Sequence, residues 1–203
     1  MRRKPWLWLL AGPNGAGKST YAPKVRADVE EIVGPDEFAY RLVPAEPEQA
    51  ALRAGRLAVR RRNELLRERR SFAVETTISG HGHLTLVNQA RHDGWNIGVI
   101  YIGLASAELA IERVRERVRQ GGHNVPPDDV LRRYHRSLHN LALIYEVAGR
   151  LIVIDNSSVQ DPMRRALEVN RGRVLFSRRR FPKWLGTALR GKLPQRSKKK
   201  RHH

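Results

Sequence analysis

The 203-residue sequence contains no cysteine. That excludes disulfides, thiolate metal centres, iron–sulfur clusters and cysteine nucleophiles. Aromatic residues make up only 6% of the chain. No stretch approaches the roughly 18 apolar residues that a membrane-spanning helix needs. The apolar run Trp6–Ala11 behind Met1-Arg2-Arg3-Lys4 is six residues long and runs into a glycine-rich loop. It is too short for the apolar part of a secretion signal, so it reads as a buried strand and a cytoplasmic location is expected. The last 33 residues lack any acid, yet hold 13 of the 39 Lys and Arg. The rest of the chain carries 26 basic against 20 acidic residues, so the net charge of +19 belongs mostly to the C-terminus. A tail of that kind attracts polyanions.

What is present is an alternation of strand and helix patterns. Continuous apolar runs at 5–11, 72–75, 96–103 and 151–155 suit strands buried on both faces. Helical patterns fall at 18–28, 47–70, 83–93, 106–120 and 127–148, with Ser106 as an N-cap and Gly121-Gly122 as a stop. Residues 29–35 read as turn. Residues 164–169 and 173–177 flank Asn170-Arg171-Gly172 as a hairpin. The expected fold class is α/β, P-loop NTPase or kinase-like, with a mostly parallel central sheet flanked by helices, a C-terminal hairpin and a basic tail. The expected division is a domain over 1–177 and a flexible tail over 178–203, with a short helix at 183–190.

The string Gly12-Pro13-Asn14-Gly15-Ala16-Gly17-Lys18-Ser19 satisfies G-x-x-x-x-G-K-[ST] between a strand and a helix. Glycines let the backbone wrap a phosphate with its N–H groups turned inward, and the following helix N-terminus adds positive charge. Lys18 is expected at the β- and γ-phosphates, Ser19 at Mg²⁺ and Thr20 near the α-phosphate. The implied ligands are ATP or GTP with Mg²⁺. A transporter-type ATPase is disfavoured. Ile78-Ser79-Gly80-His81-Gly82 lacks the Gln of a signature motif, and strand 96–103 carries no acid.

Several other residues have two readings. Asp36 follows Gly34-Pro35, where it serves as a general base for a substrate hydroxyl or simply caps a helix. Glu75 ends a strand at the edge where parallel sheets bind ligands, so it holds a Mg²⁺-bound water or a substrate hydroxyl, or is a surface acid. Arg113 and Arg117 share a helix face and form a phosphate lid, or a solvated face paired with Glu112 and Glu116. Arg132 and Arg133 have the same two readings. His81, His83, His92, His123, His135 and His139 show no metal spacing, since Arg136 stands where H-E-x-x-H needs Glu. Asp155-Asn156-Ser157 borders an adenine or is a plain turn.

In order and content these strings resemble the zeta-toxin family of P-loop kinases, and most of all its small stand-alone bacterial members. The likeness runs through Gly12–Thr20, Pro35-Asp36-Glu37, Phe72–Thr77, Arg113–Arg117 with Gly121–Pro126, and Asp155-Asn156-Ser157, covering residues 5–158. Gly34 stands where the family usually has Asn. The resemblance implies Asp36 as general base, Glu75 and Thr77 on the substrate side, and Arg117, or Arg113, as the lid arginine. It implies transfer of a γ-phosphoryl group to a small-molecule hydroxyl, such as that of UDP-N-acetylglucosamine, and an antitoxin protein as partner. The other reading is a nucleic-acid-associated P-loop ATPase whose basic tail, with Phe181 and Trp184, binds polyanions.

Overall fold

A computed structural model describes residues 4–27, 29–44 and 46–193. Seven strands among them form one sheet: β1 (Trp6–Ala11), β2 (Ile32–Val33), β3 (Phe72–Thr76), β4 (Asn96–Gly103), β5 (Arg150–Asp155), β6 (Arg164–Asn170) and β7 (Arg173–Ser177). Their order is β2-β3-β1-β4-β5-β6-β7. The first five are parallel, and β6 and β7 add antiparallel strands at one edge. The helices are α1 (Lys18–Arg26), α2 (Pro35–Leu42), α3 (Ala51–Glu68), α4 (Gly82–His92), α5 (Ala107–Arg119), α6 (Pro127–Val147) and α7 (Lys183–Ala188). None is long and apolar enough to cross a membrane.

The sheet is central because its strands are apolar on both faces. On β1, Leu7, Leu9 and Ala11 enter one core with α3, α4, α6 and α7. Trp8 and Leu10 enter the other, with α1, α5 and the start of α6. The strict period of two sends successive side chains to opposite layers, so an unbroken apolar run is what a middle strand requires.

The sequence expectations differ from the structure in three places. The turn expected over 29–35 contains β2, two residues paired with Ala73 and Val74, which is too short to leave a periodic signal. The single helix expected over 47–70 is a 3₁₀ turn, Pro47–Ala50, followed by α3, which closes at Arg69 with φ 55°. The flexible tail expected from 178 is packed as far as it is described. Trp184, Leu185 and Leu189 are buried in the main core, and the Trp184 indole N–H donates to Asp155 Oδ1 at 3.0 Å. A Cβ at Gly103 would lie 2.2 Å from the Trp184 ring, so β4 lacks a side chain where the indole sits. Positive charge on residues 178–193 masked this apolar anchor; residues 194–203 lie outside the described residues. The hairpin forms as expected, with Arg171 and Gly172 both at positive φ, as a two-residue turn matched to strand twist requires. Ser106 caps α5 by accepting from the Leu109 N–H at 3.2 Å.

Candidate active site

From β1 the chain runs out to the edge strand β2 before returning to β3, and it then crosses to β4 on the other side of β1. In open parallel sheets this kind of switch opens a crevice beyond the carboxyl ends of the strands. The loop Gly12–Gly17 fills that crevice and leads into α1. Gly12, at φ 145°, lets the loop pass the Ile102 carbonyl, which would sit 2.1 Å from a Cβ. Gly17, at φ 89°, is wedged against Asn156 Nδ2 and Met163. The Lys18 ammonium turns back onto the loop and donates to the Gly12 and Pro13 carbonyls, each at 3.1 Å. Asn14 Oδ1, in the same loop, is buried with no partner.

Three other charged residues act on Lys18. Burial holds the ammonium below its ordinary pKa; Glu75 and Asp36 work against that, and Arg117 adds to it. Burial likewise pushes the Glu75 carboxyl up. Lys18, the Ser19 hydroxyl and Arg117 pull it down, and Asp36 pushes it further up. Ser19 Oγ donates to Glu75 Oε1 at 3.5 Å. Glu75 is therefore at the P-loop, not on an outer surface. A carboxylate whose folded pKa is raised destabilises the fold once ionised. The penalty is absent below its ordinary pKa of about 4.5 and grows as pH rises through the raised value. Glu75→Gln is therefore expected to raise the melting temperature at pH 7. The gain should shrink towards zero by pH 4, which thermal melts across that range check.

Asp36 lies in the first turn of α2, but the cap is Gly34 and no side chain caps that helix end. The capping alternative thus fails in its simple form, although the carboxylate still complements the helix dipole. The Asp36 side chain is exposed and has no ion-pair partner among the described residues. Gly34 packs beside Glu75, whose Cβ would lie 3.3 Å from an added Cβ, which brings the head of α2 to the end of β3.

The arginines of α5 separate by face. Arg115 and Arg119 are exposed, and Arg119 pairs with Glu116. Arg113 and Arg117 turn to the P-loop. The Arg113 Cβ would be 3.1 Å from a Cβ on Gly15, and the Arg117 Nη2 donates to the His123 carbonyl at 2.6 Å while its Nε is buried without a partner. Arg132 and Arg133 pair with Asp129 on α6, the solvated arrangement. The Thr77 hydroxyl sits 2.8 Å from Ser79 Oγ in the loop after β3.

Two features were not legible in the sequence. Asn156 is buried and clamps the P-loop. Its Nδ2 donates to the Ala16 carbonyl at 2.9 Å, and its Oδ1 accepts from the Met163 N–H at 3.2 Å. Asn156→Ala leaves both backbone groups unmet, at about 1–3 kcal/mol each. It is expected to lower the melting temperature and weaken ATP binding several-fold, measured by calorimetric titration. The second is the loop after β3. Ile78 has φ 47°, strained for a β-branched residue. Asn140 holds it by donating to its carbonyl at 2.6 Å, and Thr76 Oγ1 accepts its N–H at 2.9 Å. His83 Nε2 lies 2.7 Å from Thr76 Oγ1; burial, reinforced by the Arg62 charge, lowers the His83 pKa to about 4.

Among the described residues no group of three or more His, Asp or Glu is placed to hold a metal by itself. The Ser19 hydroxyl and Glu75 carboxylate are hard oxygen donors, which suit Mg²⁺ when phosphate oxygens and waters complete its shell.

The sequence pattern of a family described as an AAA domain matches residues 7–141. An uncharacterized protein of Haemophilus influenzae is 30% identical over 139 residues, 66% of this chain and 99% of its own length. Among solved structures, the AvrRxo1-ORF1:AvrRxo1-ORF2 complex with sulphate ions superposes with a TM-score of 0.69 at 19% identity over 84% of this chain. The same complex with ATP gives 0.66. The chain spans 60% of the length of that protein. A structure of the PezAT toxin–antitoxin system of Streptococcus pneumoniae gives 0.56 at 16% identity, over 75% of this chain and 69% of the other. At these identities the likeness is one of fold, and it is the zeta-toxin-like P-loop fold expected from the motifs. With residues 7–141, about two thirds of its length, matched, the chain belongs to the AAA domain family.

Proposed function

We propose that the protein transfers the γ-phosphoryl group of ATP, or GTP, to the hydroxyl of a small molecule. The observation that carries this reading is the convergence of Lys18, Asp36, Glu75 and Arg117 within electrostatic reach of one another at the P-loop. A loop that only bound nucleotide would not need two carboxylates beside it.

In this reading the loop amides of Asn14–Lys18 and the start of α1, with Thr20, hold the phosphates, and Gly12 and Pro13 shape the loop. Lys18 exchanges the Gly12 and Pro13 carbonyls for β- and γ-phosphate oxygens. Ser19, with Glu75 beside it, holds Mg²⁺. Bound there, the ion neutralises phosphate charge. The acceptor oxygen forms the new bond to the γ-phosphorus while the bond to the β–γ bridging oxygen breaks and ADP leaves. Asp36 takes the acceptor proton. Glu75 and Thr77 face the acceptor side. Arg117, with Arg113 one turn away, counters the charge that develops on the transferred group. Catalysis is then mostly positioning and electrostatics.

The resemblance to zeta toxins makes a nucleotide sugar such as UDP-N-acetylglucosamine the first acceptor to try. Two of the structural neighbours are solved as pairs, one of them named a toxin–antitoxin system, which supports an antitoxin as a partner of this chain. The deciding assay follows γ-³²P from ATP with Mg²⁺ into nucleotide sugars, nucleosides, small sugars and RNA ends. A labelled acceptor is the expected result. Release of free phosphate alone would overturn the kinase reading and favour an ATPase.

A further inference from the structure

The chain gathers arginines at one place beyond β7. Arg178, Arg179 and Arg180 follow that strand, and with Arg164, the first residue of β6, they line one surface cleft. No acidic or apolar side chain is among the lining residues. Contacts hold two of the four in place. Arg164 pairs with the buried Asp155 at 3.3 Å and with Asp161 at 3.4 Å. Arg178 reaches the same Asp161 at 3.9 Å, and its Nε donates to the Arg165 carbonyl at 3.0 Å. Its backbone N–H donates to the Ala166 carbonyl at 3.0 Å, which ties the segment to β6. Arg179 and Arg180 are exposed and have no carboxylate partner among the described residues. Two carboxylates against four guanidiniums leave the cleft positive, and like charges held this close repel unless an anion offsets them.

Strand directions put the cleft on the P-loop edge of the sheet. β5 runs parallel to β4 and β1, so Asp155 ends it at the carboxyl edge. β6 begins there, with Arg164 opposite Asp155, and β7 ends there, with Ser177 opposite Leu167. β6 is three strands from β1, roughly 14 Å at the usual spacing between strands. Hydrogen bonds link the two places: Arg164 holds Asp155, and the next residue, Asn156, holds the Ala16 carbonyl of the P-loop at 2.9 Å.

The lining selects among anions. The planar fork of arginine takes phosphate oxygens in pairs. A membrane surface calls for apolar side chains that insert beside the cations, and the cleft has none. Three consecutive arginines suit an anion whose charge repeats along a chain. A flexible single strand can bend its phosphates into a concave site, whereas a duplex is stiff over about 150 base pairs. Trp184, in the same segment, is buried and presents no face to a base, so phosphate contacts carry the binding and base sequence matters little.

We propose that this arginine cleft binds the phosphodiester backbone of a single-stranded nucleic acid beside the P-loop. The proposal does not rest on the kinase reading.

The test uses the full chain saturated with Mg²⁺ and a non-hydrolysable ATP analogue, which keeps oligonucleotide phosphates out of the P-loop. Fluorescence anisotropy follows a labelled single strand of about 20 nucleotides, longer than the usual site of about 4–16. Arg179→Gln combined with Arg180→Gln is expected to raise Kd at least tenfold. It should also flatten the slope of log K against log salt by roughly 1.4, at about 0.7 for each lost phosphate contact. The control is Arg91→Gln combined with Arg173→Gln. Those residues are exposed, near the end of α4 and at the start of β7, on the opposite edge of the sheet. The control removes the same charge, and its Kd should stay within threefold of wild type. Equal weakening by the two pairs would mean attraction to net charge alone and overturns the proposal. Duplex DNA of the same length, and vesicles of phosphatidylcholine and phosphatidylserine in equal parts, are titrated in parallel. Tighter binding to either, lost with Arg179 and Arg180, overturns it as well. So does a mononucleotide that binds as tightly as the strand.

Discussion

Asp36→Asn is expected to slow phosphoryl transfer by about 10²–10⁴-fold, the usual range for losing a positioned general base. The substitution keeps the size and shape of the side chain and removes its ability to take a proton. Asp36 is exposed at the head of α2 and does not serve as a cap, so the fold has little to lose. Thermal melts should therefore stay close to wild type. ATP affinity should change little, because the phosphates are held by the loop and Lys18. Single-turnover transfer to the labelled acceptor gives the readout. A loss smaller than tenfold would remove Asp36 from the proton path and leave its effect on Lys18 and Glu75 as purely electrostatic. Lys18→Ala would give the contrasting pattern, with nucleotide binding and transfer failing together.

Trp184→Ala is expected to destabilise the protein by about 3–5 kcal/mol, the common cost of truncating a buried aromatic residue. For a chain of this size that corresponds to a fall in melting temperature of roughly 6–20 °C. The indole fills the space left by Gly103, packs at 5.9 Å from the Tyr101 ring and donates to Asp155, which Arg164 and Ser157 also bind. Asp155 precedes Asn156, the clamp on the P-loop, so α7 supports the nucleotide side from beneath. Trp184→Phe keeps most of the apolar contact and should cost less, about 1–3 kcal/mol. Ending the chain at 177 should be at least as damaging as Trp184→Ala. A melting temperature within 2 °C of wild type for Trp184→Ala would make α7 an ornament on the core.

Much of this was legible in the chain itself. The α/β class follows from apolar runs long enough to be buried on both faces, alternating with helical patterns. The phosphate loop follows from a local string whose glycines and lysine act through backbone geometry, and local geometry is what sequence encodes most directly. Ser106 and the Arg171-Gly172 turn were readable for the same reason.

Other features depended on contacts between residues far apart in the chain. The direction in which the α5 arginines point turned on the loop they face, about a hundred residues earlier. Periodicity gave Arg113 and Arg117 a common face but not its orientation. Asn156 looked like any turn residue until the P-loop backbone was brought against it across 140 positions. The basic C-terminus concealed Trp184 because charge is counted along the chain, while burial is decided by what lies opposite, here a glycine on β4. Propensity, spacing and backbone chemistry act over a few residues, so the sequence alone determined the class and the phosphate loop. Desolvation and charge pairing act through space, so only the tertiary structure decided which side chains surround that loop and which stand unpaired beside it.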